Sequence, residues 1–488
     1  MTSKNDIIKA VNDSVRYIRE IEHYNIKAYI YSLLLLKKIS DRNKEIEPLV
    51  NGELICSNKE SSFDFIYSHK DDEDLASIMN SAFKNLEKKN SDRLKGVFDI
   101  IDFTNFAVTV NGKDKNHTLK KIVDSFNNLD LRPSCLDSAN VITDALEIIS
   151  DYIAMLSRRD TIYFETPNQI AKLVSSIVKP QENEEVYDPT CGTGGMLINA
   201  YKEAVGGNVS IYGQEINKSS WSVCILNMLL HDIDTSHIWL GDSIQDPMNI
   251  ENGRLMKFDV VIANPSFTNV TGANAHDTKL KSMELKAVIN NDKYNRFPFK
   301  IFDPKGDFTF LQHMLSCLDE KTGRMAALLP AGVLSRGAVV QNLRKAIVDM
   351  NLLDTVIVLP SGILHYTITQ MCIMVFKKNR ISRDVLFIDA SGSDSYDRNK
   401  NNYVLKNDTV KRIVKVYQTW QNEDKFSHIA SFDEIKNNNY NLNIPLYVDT
   451  FEEDLIDINS IKINISNITK ELQDVQAKID NYIKDISM

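Results

Sequence analysis

The feature that most constrains the fold of this chain is an alternation of short apolar segments with helical segments, which begins near Thr161. Residues 258–263 read FDVVIA and are almost entirely apolar, as expected for a strand that is covered on both faces. Strands separated by helices favour a parallel, doubly wound α/β sheet. The predicted strands are residues 184–188, 209–215, 238–242, 258–263, 325–329, 355–359 and 371–376, and the first predicted helices are residues 195–205 and 217–231.

Helical periodicity dominates the two ends of the chain. The N-terminal segment repeats apolar residues at helix spacing, beginning with Ile7, Ile8, Val11, Val15 and Ile18. The C-terminal segment has apolar residues spaced 4-3-4-3-4-3-4, at Ile461, Ile465, Ile468, Leu472, Val475, Ile479, Tyr482 and Ile486. This heptad pattern is typical of a coiled-coil helix, which either binds a partner or packs on its own domain as an amphipathic helix. The sequence therefore predicts an N-terminal helical domain (1–155), an α/β domain (156–445) and a C-terminal helical tail (446–488).

The composition limits the classes of protein to which the chain can belong. Its 488 residues are 43% hydrophobic and 25% charged, which is ordinary for a soluble globular protein of two or three domains. The six cysteines form no CxxC pair, which argues against a disulfide framework and against a metal site. No apolar stretch has the length of a membrane span and the N-terminus lacks a signal-peptide core, so the cytoplasm is the expected compartment. The net charge of −9 is opposite to that of a self-sufficient nucleic-acid binder, so contact with DNA would need a local basic face or a partner.

A glycine-rich turn follows the first predicted strand. It reads Asp188-Pro189-Thr190-Cys191-Gly192-Thr193-Gly194-Gly195, and its glycines would let the backbone approach a ligand closely at the carboxyl edge of the sheet. Glu215 ends the next strand, 20 residues after Gly195, where a carboxylate can accept hydrogen bonds from both hydroxyls of a ribose. The turn is not a phosphate-binding P-loop, because no Gly-Lys-Ser/Thr follows it. We interpret Cys191 as a small residue that fills the turn rather than as a nucleophile, since no histidine is near it in sequence.

A third acidic residue, Asp242, ends the third predicted strand. On the same edge of the sheet, its carboxylate could accept a hydrogen bond from an adenine amino group. It could equally cap a helix or close a turn, and the sequence alone leaves both interpretations open.

The tetrapeptide Asn264-Pro265-Ser266-Phe267 comes directly after the apolar strand 258–263. A base amine is a poor nucleophile, because its lone pair is delocalised into the ring. The Asn264 side-chain oxygen and the Pro265 carbonyl can accept its two hydrogens, which would favour the pyramidal geometry that accepts a methyl group. Phe267 offers a face on which an extruded base can stack. The sequence therefore predicts a loop that methylates an exocyclic amine, with Asn264, Pro265 and Phe267 as its catalytic residues.

One more segment, Tyr163-Phe164-Glu165-Thr166-Pro167-Asn168, precedes the first strand and completes an ordered set of motifs. Together with residues 188–195, Gly213-Gln214-Glu215-Ile216-Asn217 and residues 264–267, it resembles the modification subunit of type I restriction–modification systems. That family is a γ-class N6-adenine DNA methyltransferase. The resemblance runs over most of the chain and implies a Rossmann-like, doubly wound methyltransferase sheet between the two helical ends.

The resemblance also implies a cofactor and a substrate. S-adenosylmethionine would lie across the strand ends, and an adenine flipped out of double-stranded DNA would stack on Phe267 and present N6 for a direct in-line transfer, without a metal. In the family, residues 163–168 surround the methionine part of the cofactor. The predicted cofactor-binding residues are Tyr163, Phe164, Glu165, Thr166, Pro167, Asn168, Asp188, Thr190, Gly192, Thr193, Gly194, Gly195, Glu215 and Asp242.

Partners follow from the same resemblance. Nothing in the chain looks like a module that reads a DNA sequence, so a separate specificity subunit is expected, with two copies of this chain per specificity subunit. A restriction translocase subunit is expected as well. The helical tail and the N-terminal helices are the predicted contacts with the specificity subunit, and no membrane association is expected.

The tetrapeptide departs from the family at one position, because Ser266 stands where the family has a second proline. Proline fixes φ and removes a donor, so serine is expected to loosen the loop while the groups used for chemistry are retained. The alternative hypothesis is a weak or inactive subunit that serves assembly and cofactor or DNA binding only.

Other methyltransferases fit less well. Cytosine-C5 enzymes need a cysteine after a proline, and none of the 12 prolines here precedes a cysteine. Cytosine-N4 enzymes usually begin the tetrapeptide with serine, whereas this chain has Asn264. Protein-glutamine methyltransferases share an Asn-Pro-Pro-Tyr loop but are much shorter and lack the helical ends.

Overall fold

The computed structural model describes residues 1–19, 25–45, 54, 59–105, 109–110, 113–156, 165–265, 275–300, 303, 306–337, 339–364, 367–399, 402–449 and 458–486. Met1–Val448 form one compact unit, and Asp449–Met488 belong to a second. No helix among the described residues is both long and apolar enough to span a membrane.

The N-terminal region is helical, as the periodicity predicted. Its helices are α1 (Lys4–Arg19), α2 (Ile26–Glu45), α3 (Phe63–Ser68), α4 (Leu75–Lys89), α5 (Ser91–Leu94), α6 (Lys115–Asn127) and α7 (Val141–Leu156), with a short hairpin of β1 (Thr109–Val110) and β2 (Lys113–Asp114). The apolar repeat of α1 is buried and packs against α6 and α7. Helix α2 is buried on nearly all sides, as expected for a helix that is apolar around most of its circumference.

A sheet of nine strands, counted over the described residues, forms the centre of the first unit. Its strands are β3 (Glu185–Asp188), β4 (Ser210–Glu215), β5 (Ile238–Leu240), β8 (Val260–Ala263), β9 (Arg324–Pro330), β10 (Leu353–Ser361), β11 (Gln370–Lys377), β12 (Val385–Asp389) and β15 (Ser427–Ala430). The remaining described strands form two hairpins, β6 (Ile250–Glu251) with β7 (Arg254–Leu255) and β13 (Tyr396–Asn399) with β14 (Asn402–Leu405). The order across the sheet is β15-β12-β10-β11-β9-β8-β3-β4-β5.

The sheet is mostly parallel, in agreement with the doubly wound fold expected from the sequence. Strands β11 and β15 run antiparallel to their neighbours. No helix of the described chain separates β10 from β11, and so short a connection can only return antiparallel. Every strand from β3 to β11 in this sheet begins and ends within two residues of its predicted bounds, whereas β12 and β15 were not predicted.

Helices cover both faces of the sheet, and its central strands contribute to two cores. Val186, Val260 and Ile262 belong to a core shared with the N-terminal helices, whereas Tyr187 and Val261 point into a second core. This alternation explains why the β8 segment is apolar at nearly every position. The helices of this region are α8 (Asn168–Val178), α9 (Gly195–Lys202), α10 (Lys218–Leu230), α11 (Ala275–Asn290), α12 (Asp307–Ser316), α13 (Val339–Asp349), α14 (Asn407–Thr419) and α15 (Phe432–Asn437).

The second unit contains one helix, α16 (Ile458–Ile486), in the part of it that the structure describes. The heptad residues between Ile465 and Ile479 are exposed by 45–69%. The binding of a partner by this helix stays a prediction.

Candidate functional site

Four parallel strands bring the predicted site residues to one edge of the sheet. Asp188 ends β3, Glu215 ends β4, and Asn264 follows β8. Asp242 lies two residues after the end of β5. The register pairs Asp188 with Gly213 and Glu215 with Leu240, so β4 and β5 end level with each other, two residues beyond the end of β3. Ligands of open α/β sheets bind at this edge.

The glycine-rich turn bends sharply between β3 and α9. Gly192 and Gly194 adopt φ values of 55° and 83°, which favour glycine over other residues. A Cβ atom on Gly194 would lie 2.9 Å from the Cys224 sulfur, whereas one on Gly195 would meet no atom within 4 Å. The Gly195 side of the turn therefore faces open space, which is the approach that a ligand needs.

The remaining residues of the turn have structural partners. Thr193 is buried, and its carbonyl accepts a hydrogen bond of 3.0 Å from the Asn227 amide. The Cys191 thiol is buried 4.0 Å from that of Cys224, and this contact together with burial raises the pKa of Cys191 well above its ordinary value. A protonated, buried thiol fills the turn and is not a nucleophile.

Asp188 and Glu215 form an acidic pair beside the turn. The Asp188 carboxylate is only 2% exposed, and it accepts hydrogen bonds from the Thr190 backbone N–H (2.8 Å) and hydroxyl (3.4 Å). The pKa of Asp188 is raised to about 7, chiefly by burial and to a smaller extent by the nearby charge of Glu215. The Glu215 oxygens accept the backbone N–H groups of Gly192 (2.9 Å) and Asn217 (2.7 Å), yet burial still raises its pKa. A ligand with a positive charge or hydroxyl donors would stabilise both carboxylates.

Asp242 shows the turn-closing contacts that the sequence left open. Its Oδ1 atom accepts the backbone N–H groups of Ile244 (2.8 Å) and Gln245 (3.1 Å). These bonds fix the carboxylate at the end of β5. A contact with the adenine ring of a cofactor stays a prediction.

Asn264 contacts a residue 98 positions earlier in the chain. Its Nδ2 atom donates a hydrogen bond of 2.9 Å to the Thr166 hydroxyl, and Pro265 beside it is buried. The family motif predicts that Thr166 binds the cofactor. The structure shows that Thr166 also contacts the tetrapeptide. Ser266 and Phe267 lie outside the described residues, so the stacking role of Phe267 stays a prediction.

The segment before α8 contacts the N-terminal helices. The Glu165 carboxylate lies 2.6 Å from the Lys27 ammonium of α2, and Lys27 is only 1% exposed. Pro167 is the N-cap residue of α8, and the Asn168 side-chain oxygen accepts a bond of 2.9 Å from Asn199. The predicted ligands Tyr163 and Phe164 lie outside the described residues.

Two buried cations near the site, Lys27 and Arg296, were not predicted from the sequence. Lys27 lies among apolar residues of α2, and Arg296 lies after α11 with 2% exposure. A charged residue within an apolar helix face was the signal for Lys27, because such residues are rarely buried without a partner. Arg296 has no motif around it, and apart from Asp292, four residues before it, its partners are distant in sequence.

Comparisons with known proteins match both regions of the first unit. The family described as N-6 DNA Methylase matches residues 137–455, and the HsdM N-terminal domain matches residues 4–126. The methylase subunit of the type I restriction enzyme MjaVII of Methanocaldococcus jannaschii is 29% identical over 424 residues, which cover 85% of this chain and 70% of that protein. The MpnII methylase subunit of Mycoplasma pneumoniae is 28% identical over 449 residues, with 87% and 79% covered.

A solved structure shows the same architecture. It is the crystal structure of the type I restriction–modification methyltransferase subunit from Streptococcus thermophilus, which is 25% identical to this chain with a TM-score of 0.78. The match covers 92% of this chain and 100% of that one. The resemblance therefore extends from the N-terminal helices through the sheet.

Proposed function

Because this chain belongs to the N-6 DNA methylase family as a modification subunit of type I restriction–modification systems, we propose that it uses the sheet edge described above to methylate adenine N6 in double-stranded DNA, with S-adenosylmethionine as the methyl donor. The observation that carries this assignment to particular residues is the contact between Asn264 and Thr166, at the sheet edge where the acidic pair Asp188 and Glu215 also lies.

The residues at the sheet edge fit this cofactor. S-adenosylmethionine supplies an electrophilic methyl group on a positively charged sulfonium, together with an ammonium group and ribose hydroxyls. The raised pKa values of Asp188 and Glu215 mark a site where positive charge and hydroxyl donors are favourable. The cofactor-binding residues that we propose are those predicted from the sequence: the segment 163–168, the turn 188–195, Glu215 and Asp242.

Asn264 and Pro265 act on the amino group of the target base. Because Nδ2 of Asn264 donates to Thr166, the amide is oriented and Oδ1 serves as the acceptor for one N6 hydrogen. The Pro265 carbonyl accepts the other hydrogen, and Phe267 provides the stacking surface for the flipped base. Acceptors held in place before the reaction stabilise the developing charge on the amine without a reorganisation cost. The sulfonium leaving group requires no general acid.

Substitution of Asn264 tests this assignment. In the complete complex, Asn264→Ala is expected to reduce methyl incorporation into DNA by at least about 100-fold, the usual effect of removing one preorganised hydrogen-bonding group. The measurement is transfer of a labelled methyl group to duplex DNA, with modified-base sequencing to identify the product. Asn208→Ala is the matched control, because Asn208 is exposed just before β4 at the opposite edge of the sheet.

The same assay tests the alternative hypothesis of a catalytically inactive subunit. A subunit that serves assembly only, the hypothesis motivated by Ser266, would give a complex that binds cofactor and transfers no methyl group. If the wild-type complex incorporates methyl groups and Asn264→Ala abolishes this incorporation, the assembly-only hypothesis is excluded. Full activity of Asn264→Ala would refute the role that we assign to Asn264.

The partners that we propose are DNA, a specificity subunit and a restriction translocase subunit, with two copies of this chain per specificity subunit. The exposed heptad stripe of α16 supports a contact between its apolar residues and a partner helix. A separate specificity subunit also explains how a chain with a net charge of −9 can act on DNA, since phosphate contacts can be shared with another subunit. One solved structure with the same fold, at 16% identity and a TM-score of 0.64, describes assembly of the type I restriction–modification system.

A further inference from the structure

We propose that Arg296 is a positioning residue for cofactor binding, because its buried guanidinium holds the loop that carries Asp242 at the end of β5. The inference rests on the proposed function, since it assumes that Asp242 contacts the cofactor. Arg296 belongs to none of the motifs found in the sequence. It lies in the segment after helix α11, downstream of the tetrapeptide 264–267.

The contacts of Arg296 fix two consecutive carbonyl groups of this loop. One terminal nitrogen donates to the Ser243 carbonyl at 3.0 Å, and the other donates to the Ile244 carbonyl at 2.7 Å. The guanidinium is only 2% exposed, so these bonds are shielded from water. Two carbonyls held by one rigid, planar fork leave the backbone between them little freedom.

The loop that Arg296 holds is also the loop that orients Asp242. The Asp242 carboxylate accepts the N–H groups of Ile244 and Gln245, so movement of residues 243–245 would move the carboxylate. The Ser243 hydroxyl donates to the Pro189 carbonyl at 2.7 Å and thereby connects the loop to the glycine-rich turn. Arg296 therefore connects two segments that we propose bind the cofactor, the Asp242 loop directly and the glycine-rich turn through Ser243.

The opposite side of Arg296 is held in place as well. Asp292 accepts from its Nε atom at 2.8 Å and forms an ion pair with a terminal nitrogen at 2.7 Å, and Asp292 is itself nearly fully buried. This pairing offsets the cost of burying the positive charge. Ile289 and Phe297, from the segment around Arg296, pack with Ile244 of the Asp242 loop in a small apolar cluster.

His313 extends the connection to β3. Its Nδ1 atom lies 3.4 Å from an Arg296 nitrogen, and its Nε2 atom lies 3.3 Å from the Tyr187 hydroxyl. Burial and the Arg296 charge lower the pKa of His313 to about 3, so the ring is neutral. An arginine can only donate, so Nδ1 is the acceptor and Nε2–H donates to Tyr187, the residue before Asp188.

Arg296→Lys in the complete complex tests the inference. Lysine keeps the charge that pairs with Asp292, but it cannot hold both carbonyls with a planar fork. We expect the Kd and the KM for S-adenosylmethionine to rise about tenfold, the size of one or two lost hydrogen bonds. At saturating cofactor, kcat is expected to stay within about twofold, and the KM for DNA is expected to be unchanged.

Arg344→Lys is the matched control. Arg344 is also about 2% exposed and also donates to backbone carbonyls, those of Val333, Arg336 and Tyr440. A purely structural role would make the two lysine variants equivalent, whereas the inference predicts that only Arg296→Lys weakens cofactor binding. An unchanged Kd in Arg296→Lys, or an equal increase in Arg344→Lys, would overturn the inference.

A second variant covers the case in which Arg296→Lys does not fold. The double substitution Arg296→Met with Asp292→Leu removes both buried charges and is expected to weaken cofactor binding by at least as much as Arg296→Lys. Cofactor affinity equal to that of the wild type in the double variant would also overturn the inference. A wild-type complex that neither binds S-adenosylmethionine nor transfers methyl groups would instead overturn the proposed function, and the inference with it.

Discussion

At the scale of single residues, Asp188 shows that the site is held at a cost in stability. Its carboxyl group is buried at the end of β3, and burial raises its pKa to about 7. A group whose pKa is raised on folding contributes stability below its unfolded pKa, here 3.8, and loses that contribution as the pH rises through 7. Above pH 7 the protein without a ligand therefore carries an ionised, buried carboxylate.

Asp188→Asn should consequently stabilise the ligand-free protein at pH 8. We expect a rise of several degrees in Tm at pH 8 and a smaller rise at pH 5, where the carboxyl group of the folded protein is still protonated and only that of the unfolded chain is ionised. Thermal unfolding at the two pH values measures the difference. An equal change in Tm at both values would contradict this assignment.

Asp319 provides a control, because folding lowers its pKa whereas folding raises that of Asp188. Backbone hydrogen bonds from Thr322 and Lys321 lower the pKa of Asp319, so its ionised form is stabilised by folding. Asp319→Asn is therefore expected to lower the Tm at pH 8, with a smaller loss as the pH falls toward the lowered pKa.

At the scale of elements, the exposed stripe of α16 is the feature most directly open to test. Ile468 and Leu472 lie at its centre and are 64% and 69% exposed. Burying such a stripe against a partner helix gains hydrophobic free energy, whereas leaving it in water gains none.

Replacing Ile468 and Leu472 with lysine is expected to abolish copurification with the specificity subunit, as is deletion of residues 456–488. Ser466→Lys with Gln473→Lys is the matched control. Both residues are exposed on the side of α16 away from the apolar stripe, and the two substitutions add the same charge as the stripe variant. Copurification by affinity capture measures the effect. Retained assembly of the stripe variant, or equal loss in the control, would contradict the role assigned to α16.

At the scale of the whole molecule, a buried ion pair joins the N-terminal helices to the site. Lys27 of α2 contacts both Glu165 and the Ser150 hydroxyl of α7, and Glu165 directly precedes Thr166, the partner of Asn264. The helical region therefore supports the segment that orients the tetrapeptide.

Lys27→Met should lower the free energy of unfolding by about 3 kcal/mol, because it leaves Glu165 buried without its counter-charge. The double variant Lys27→Met with Glu165→Gln is expected to recover more than about 1 kcal/mol of that loss. Urea unfolding of the single and double variants measures the coupling. If the losses of unfolding free energy from the two substitutions are additive, the ion pair does not account for the destabilisation by Lys27→Met.

The sequence by itself determined the elements and the order of the motifs. The β8 strand, the glycine-rich turn and the helix spacing of α1 all depend on residues close together in the chain, so local patterns were sufficient to predict them. The parallel arrangement then placed Asp188, Glu215 and Asn264 at one edge. Strands β12 and β15 were missed, because short apolar segments are poor signals without their neighbours.

Only the tertiary structure decided which side-chain atoms meet. Asn264 with Thr166, Lys27 with Glu165 and Arg296 with Ser243 are separated by 98, 138 and 53 residues. Such pairs are selected when packed elements leave one buried position for a donor and one for an acceptor, and a pattern of adjacent residues contains no information about that position. The sequence thus indicated the loop that we propose for the chemistry, and the packing of distant segments determined how that loop is held.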